Sequence, residues 1–245
     1  MSEAFWSSWI WPMLTAVLGF AFAVMIFMQW LRRRKPHQAA WAVGMTFYAV
    51  AALMEAVSEY EEFWRPGVYR VYIVLAASLV GFLGLGTVYL MVRRRIWGHL
   101  YLAFNLVCLI VFAVGVALVK LDTGTLVPGI TVGGQALGPS GSFPRFMSLF
   151  FNIPGSIFLL GGAVWSAYRF ARKKEYAYRM WANVLIAAGT LVIAAAGARA
   201  RLGTTTGLYF AEMVASALLF AGFILASTLD KGAKAIIRDR LAGRE

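Results

Sequence analysis

Cysteine and histidine are nearly missing from this 245-residue chain, which has one cysteine, Cys108, and two histidines, His37 and His99. A lone cysteine excludes an intrachain disulfide. Histidines placed only at the ends of apolar runs exclude paired imidazole ligands for a haem within a span, and no His/Cys cluster has the spacing of a zinc site. The sequence thus offers no haem or zinc site, and no cofactor is expected. Charge is scarce too: 14% of residues are charged and 61% apolar, against about 25% and 45–50% in soluble domains. The apolar runs contain no Ser/His/Asp or Asp/Asp constellation, so an intramembrane enzyme ranks third among the functional readings.

Long apolar runs are what the chain does have. Seven of them, Ile10 to Leu31, Gln38 to Ser58, Val68 to Val92, Trp97 to Val119, Phe146 to Ala167, Met180 to Ala198 and Gly207 to Thr228, match the roughly 20 helical residues that cross a ~30 Å hydrocarbon core. The expected fold is all-α, a single seven-helix transmembrane domain over residues 1–245. The net charge of +12 would suit nucleic acid in a soluble protein. Here the basic residues gather in short connections, Arg32 to Lys35, Arg93 to Arg95 and Arg169 to Arg179, and in a tail, 230–245. The positive-inside rule makes these segments cytosolic, so the charge reports topology and no nucleic-acid partner is implied. An odd number of spans puts the N-terminus outside and the C-terminus in the cytosol. No basic n-region precedes the first run and no small-residue cleavage site follows it, so it reads as a retained helix. Trp6, Trp9, Trp11, Trp64 and Trp97 fall near span ends, as an interfacial belt would.

One connection is long, Lys120 to Arg145. Its Pro128-Gly129 pair between the triplets 125–127 and 130–132 predicts a short outer β-hairpin between helices four and five, either a cap on a cavity or a link between distant helix ends. The tail spaces Ile236, Ile237 and Leu241 on one helical face, suited to anionic lipid or to a partner protein.

Pairs of features recur in the two halves: Pro12 with Pro154, Gly19 with Gly161, Tyr72 with Tyr209, Ser78 with Ser216, and Gly81-Phe82 with Gly222-Phe223. They suggest a 3+1+3 repeat, and transporter sites form between repeats. The chance alternative is that glycines are common in apolar sequence. Gly81, Gly84, Gly86 and the Gly161-Gly162 pair read as close-packing surfaces.

Charged groups inside spans point to function, because each costs roughly 2.5–3.5 kcal/mol at the bilayer centre even on insertion scales. All of them lie towards one end: Glu55 and Glu59, Arg70, Arg199 with Arg201, and Glu212. Glu55, Glu59 and Glu62 would share a helical face, with Tyr48 two turns below. The surplus of acids invites a cation, and a Ca²⁺ site is one reading. Against it stands a structural reading in which Glu55 and Glu212 pair with Arg70 and Arg199 while Glu59 and Glu62 are solvated. Pro154 predicts a kink in the fifth span, with Asn152 either satisfying the freed carbonyl of Phe150 or contacting a ligand. The ligand-binding set is Glu55, Arg70, Asn152, Arg199 and Glu212, with Tyr48, Tyr72 and Tyr209.

The layout resembles microbial rhodopsins, but Ala215 to Leu219 occupy the middle of the seventh span, so the lysine that would hold retinal is missing. It resembles the sugar-transporting SWEET and PQ-loop proteins in architecture, without the Pro-Gln signature: Met13 follows Pro12 and Gly155 follows Pro154. Leu83 to Leu90, Asn152 and Gly161-Gly162 resemble uncharacterised bacterial seven-helix membrane proteins, which implies the bacterial cytoplasmic membrane. The expected function is binding of a small or lipid-like ligand in an outward vestibule, receptor-like and non-enzymatic, with a small-solute transporter as the alternative. The expected partners are the bilayer, the ligand, and a cytosolic or membrane protein. A transporter would need a polar path through Asn105, Thr190 and Asn183.

Overall fold

The computed structural model describes residues 9–127, 134–139, 141–172, 177–202 and 207–242. Its helices are α1 (Ile10–Arg33), α2 (Pro36–Tyr60), α3 (Pro66–Met91), α4 (Arg95–Leu118), the short α5 (Phe143–Met147), α6 (Leu149–Ala171), α7 (Ala177–Arg201) and α8 (Leu208–Ala242). Counting α5 with α6, seven are long and apolar enough to cross a membrane. Proline opens α2 and α3, where its missing N–H is one of the helix's orphan donors and its φ is already helical. Except for α3, which stops at Met91, the helices overrun the apolar runs at their basic ends. Arg32 and Arg33 form the last turn of α1, where cations complement the helix dipole.

The helices α1, α2, α3, α6, α7 and α8 close a ring, each packed on the next and α8 returning to α1, while α4 stands outside it against α3. Glycine sets the closest approaches. A Cβ at Gly84 would lie 2.7 Å from the Gly155 Cα, and one at Gly155 would lie 2.4 Å from the Val80 carbonyl oxygen, so α3 and α6 meet backbone to backbone. Gly86 receives the Trp41 indole, whose N–H donates to the Leu83 carbonyl at 3.0 Å. Gly81 lies against Asn105 and Gly162 against Thr87, whereas Gly161 faces open space. Gly161 therefore does not match Gly19, which packs on Ala49.

The two larger of three apolar clusters fill the two ends of the interior. At the end carrying the α4–α5 loop, Trp64, Tyr69, Tyr72, Phe112, Phe151 and Leu137 pack together. Towards the end carrying Arg32 to Lys35, the filling is Phe22, Ile26, Met45, Leu79, Leu83, Leu159 and Leu219. Trp64 belongs to the first cluster, fully buried 5.0 Å from Tyr72 by ring centroids, and not to an interfacial belt. The turn after α2 folds it inward.

No strand occurs among the described residues. Thr125 ends a 3₁₀ turn, Thr123–Thr125, whose start Asp122 caps through its carboxylate, because an Asp side chain bonds the backbone two residues on. Residues 128–133, the core of the expected hairpin, lie outside the described residues. The loop does return over the bundle: the 3₁₀ turn Gln135–Leu137 buries Ala136 and Leu137, and the Asp122 N–H bonds the Ala136 carbonyl. We call this the capped end. At the other end α8 continues unbroken from the last span to Ala242, so the tail prolongs that helix. The side chains of Ile236, Ile237 and Leu241 lie outside the description.

Candidate functional site

A cavity of about 730 Å³ lies among α2, α3, α6, α7 and α8 below the capped end. Its polar end is made by α2 and α8. Glu55, on α2, is 2% exposed, and its carboxyl is hydrogen-bonded with that of Glu212 on α8 and with the Tyr72 hydroxyl on α3. The Tyr48 hydroxyl donates to the Glu212 backbone carbonyl at 2.8 Å. One turn above Glu55, the Glu59 carboxylate accepts from the Tyr209 hydroxyl at 2.5 Å. Five of the eight expected ligand residues, Tyr48, Glu55, Tyr72, Tyr209 and Glu212, therefore form one connected cluster. Glu59 joins them.

The expected arginine partners are elsewhere. Arg70 donates to the carbonyls of Val116, Ala117 (3.0 Å) and Val119 (2.9 Å). Those carbonyls belong to the C-terminal end of α4, which leaves its last acceptors without intrahelical donors, and a cation there also complements the dipole. Arg199 is on the exposed face of α7 and outside the cavity lining. The expected pairing of Glu212 with Arg70 or Arg199 is thus replaced by a pairing of carboxyls. Depth alone cannot distinguish these outcomes, because Glu212 shares its depth with groups on every side of the bundle. Glu59 is buried, not solvated. Glu62 leaves the shared face because α2 ends at Tyr60 and Glu62 takes a left-handed conformation (φ 52°).

Asn152 lines the cavity from α6. Its amide donates to Ser148 O at 2.8 Å and Ala77 O at 3.4 Å, so it joins α6 to α3 and does not serve Phe150. The helix α6 runs through Pro154, and its interruption falls earlier, at Ser148 between α5 and α6. Residues missed in the sequence include Arg145, which lines the cavity and donates to the Gly138 carbonyl at 3.0 Å, and Ser148 and Ser156 beside it. A polar i, i+4 spacing from Ser148 to Asn152 to Ser156 was the available signal.

The cavity ends inside the bundle. Leu83, Leu159 and Leu219 line it and belong to the apolar cluster beneath it. Of the three residues expected to carry a path onward, Thr190 lines the cavity while bonding the Ile186 carbonyl. Asn105 is fully buried between α4 and α3 beside Gly81, outside the ring, and the Asn183 amide bonds the carbonyl of Arg179 on its own helix. Among the described residues no group of three or more His, Cys, Asp or Glu could hold a metal ion, so the carboxyl cluster does not make the Ca²⁺ site that its acid surplus suggested. The cavity can enclose a molecule with one polar and one apolar end. No family model matches the chain, and neither a curated protein nor a solved structure matches it significantly.

Proposed function

We propose that the protein is a receptor-like, non-enzymatic membrane protein that holds a small or lipid-like ligand in a vestibule on the outer side of a bacterial cytoplasmic membrane. The observation that carries this reading is the one-ended cavity with a buried carboxyl pair at its polar end. A floor of leucines favours a pocket that retains a ligand over a path that passes it on. The volume lies within the ~300–1,000 Å³ of pockets that enclose small molecules. The basic clusters at the uncapped end support a cytosolic position for that end. A cytosolic or membrane partner would carry the signal onward in this reading, with the continuous α8 as the element it reads.

A second reading, a small-solute transporter built on a 3+1+3 repeat, draws on the ring itself. Two triplets, α1 to α3 and α6 to α8, with α4 outside, form the arrangement expected of like units joined by a linker helix. Tyr72 and Tyr209, paired in the repeat, both donate to α2 glutamates.

The test is thermal unfolding of the purified chain against small amines, carboxylates, sugars and single-chain amphiphiles, for the wild type and for Ile193→Trp, which fills the cavity. Some compound is expected to raise the wild-type Tm and to leave the variant's unchanged. No shift from any class overturns the binding reading. Accumulation of the same compound in proteoliposomes selects the transporter.

A further inference from the structure

Leucines close the cavity below, the loop covers part of its top, where Leu202 lines it while 86% exposed, and one side is thin. Above it sit Gly134 and Leu137 of the loop, with Leu137 only 2% exposed, and below it lie the leucines already described. On the flank between α6 and α7, the residues that line it also reach the bundle's outer surface: Ile153 and Ile157 are 54% and 63% exposed. Opposite them on α7, Ala194 and Ala198 are exposed lining residues. Gly197 lines the cavity too, and a Cβ built on it meets nothing within 4 Å. In a bundle that crosses a bilayer, that flank faces acyl chains.

The lining has a polar and an apolar region. The Glu55–Glu212 pair forms the polar end, two buried carboxyls side by side with no basic side chain among their partners. An amine placed there gives them a cationic partner. Ser216, 1% exposed, lies beside the Tyr48 hydroxyl at this end. The Tyr48 and Tyr72 rings add the faces that cations favour. The rest of the chamber is mainly alanine, isoleucine and leucine, with the polar row Ser148, Asn152 and Ser156 on one face.

We propose that the cavity binds a single-chain amphiphile with a protonated amine headgroup, which reaches it sideways from the bilayer between α6 and α7. The amine lies against Glu55 and Glu212, and the chain follows the apolar lining to the flank at Gly197. Arg145, the cavity's basic lining residue, is held by the Gly138 carbonyl on the loop side and does not reverse the charge at the carboxyl end. This inference rests on the reading of the cavity as a ligand site, and its test separates the two.

The experiment uses the full chain in phosphatidylcholine nanodiscs and follows its Tm against dodecylamine, methylamine (the head alone), dodecanol (the tail alone) and dodecyl sulfate (the opposite charge). Dodecylamine is expected to raise Tm saturably at a concentration at least tenfold below that of methylamine or dodecanol, with no shift from dodecyl sulfate. Glu55→Gln with Glu212→Gln raises that concentration at least tenfold, and so does Gly197→Phe, with Ala198→Phe as a second block should the first variant fold poorly. Equal potency of methylamine and dodecylamine, with both phenylalanine variants unaffected, overturns the amphiphile and its lateral route while the ligand site stands. Equal potency of dodecyl sulfate overturns the charge selection. A cavity that binds none of these probes nor any class tested against Ile193→Trp overturns both readings.

Discussion

Tyr209 and Tyr72 each turn a hydroxyl into a glutamate of α2, and those two bonds link α8 and α3 to the same helix face. Hydrogen bonds to charged acceptors contribute about 1.5–3 kcal/mol, more than neutral ones. Tyr209→Phe keeps the ring and removes only the donor, so it should lower stability by that amount in chemical unfolding of the detergent-solubilised protein. Tyr60→Phe, at a position 70% exposed, is the control and should change nothing. Equal losses for the two would mean that the Glu59 carboxylate is served by water. That Glu55, Glu212 and the three tyrosines would need partners was legible from depth, since ionisable and hydroxyl groups inside apolar runs must be satisfied there. Which partners they take was not legible. Arg70 and Arg199 have suitable depth and charge, but helix rotation turns one to the end of α4 and the other to the exposed face of α7, and no single-sequence signal reports that rotation.

Helix ends and helix contacts are where that rotation becomes visible. Arg70 serves three carbonyls at the end of α4, so its role is to fasten the outlying helix to α3. Arg70→Met should lower Tm and leave the affinity of any cavity ligand within twofold, since the cavity lining does not include it. Loss of binding with Tm unchanged would return Arg70 to the site. The α3–α6 contact makes a sharper prediction. A Cβ at Gly155 falls on the Val80 carbonyl, which is backbone and cannot swing away, so Gly155→Ala must part the two helices. Overpacking of this kind costs about 1–3 kcal/mol. Gly161→Ala, where a Cβ meets nothing, should be neutral or slightly stabilising by its higher helix propensity. Similar Tm values for the two variants would show that α3 and α6 are not in backbone contact. The packing role of glycine was readable from composition. Which member of the Gly161-Gly162 pair packs was not, because adjacent helical residues point about 100° apart and the orientation of α6 is set by its partners.

At the scale of the whole molecule, the seven helices follow from the seven apolar runs, because a span must satisfy its backbone internally and a helix does so without help from its neighbours. The ring order was not in those runs: it depends on side contacts that every apolar helix face offers alike, and only the glycines and the buried carboxyls favour particular neighbours. Orientation rests on charge. The clusters Arg32 to Lys35, Arg93 to Arg95 and Arg169 with Arg172 emerge at one end of the bundle, and the α4–α5 loop caps the other. Basic flanks resist translocation whereas acidic residues contribute little, so the capped end should face outwards even though the acids cluster near it. The lone Cys108 is buried, and Cys108→Ser gives a thiol-free chain in which single cysteines report sidedness. Thr123→Cys, exposed in the capping loop, should react with a membrane-impermeant maleimide on intact cells. Arg94→Cys, exposed in the turn between α3 and α4, should react only after the membrane is opened. The reverse pattern would place the cavity's capped end in the cytosol, turn the flank between α6 and α7 towards the inner leaflet, and replace an outward receptor with a sensor of molecules made inside the cell.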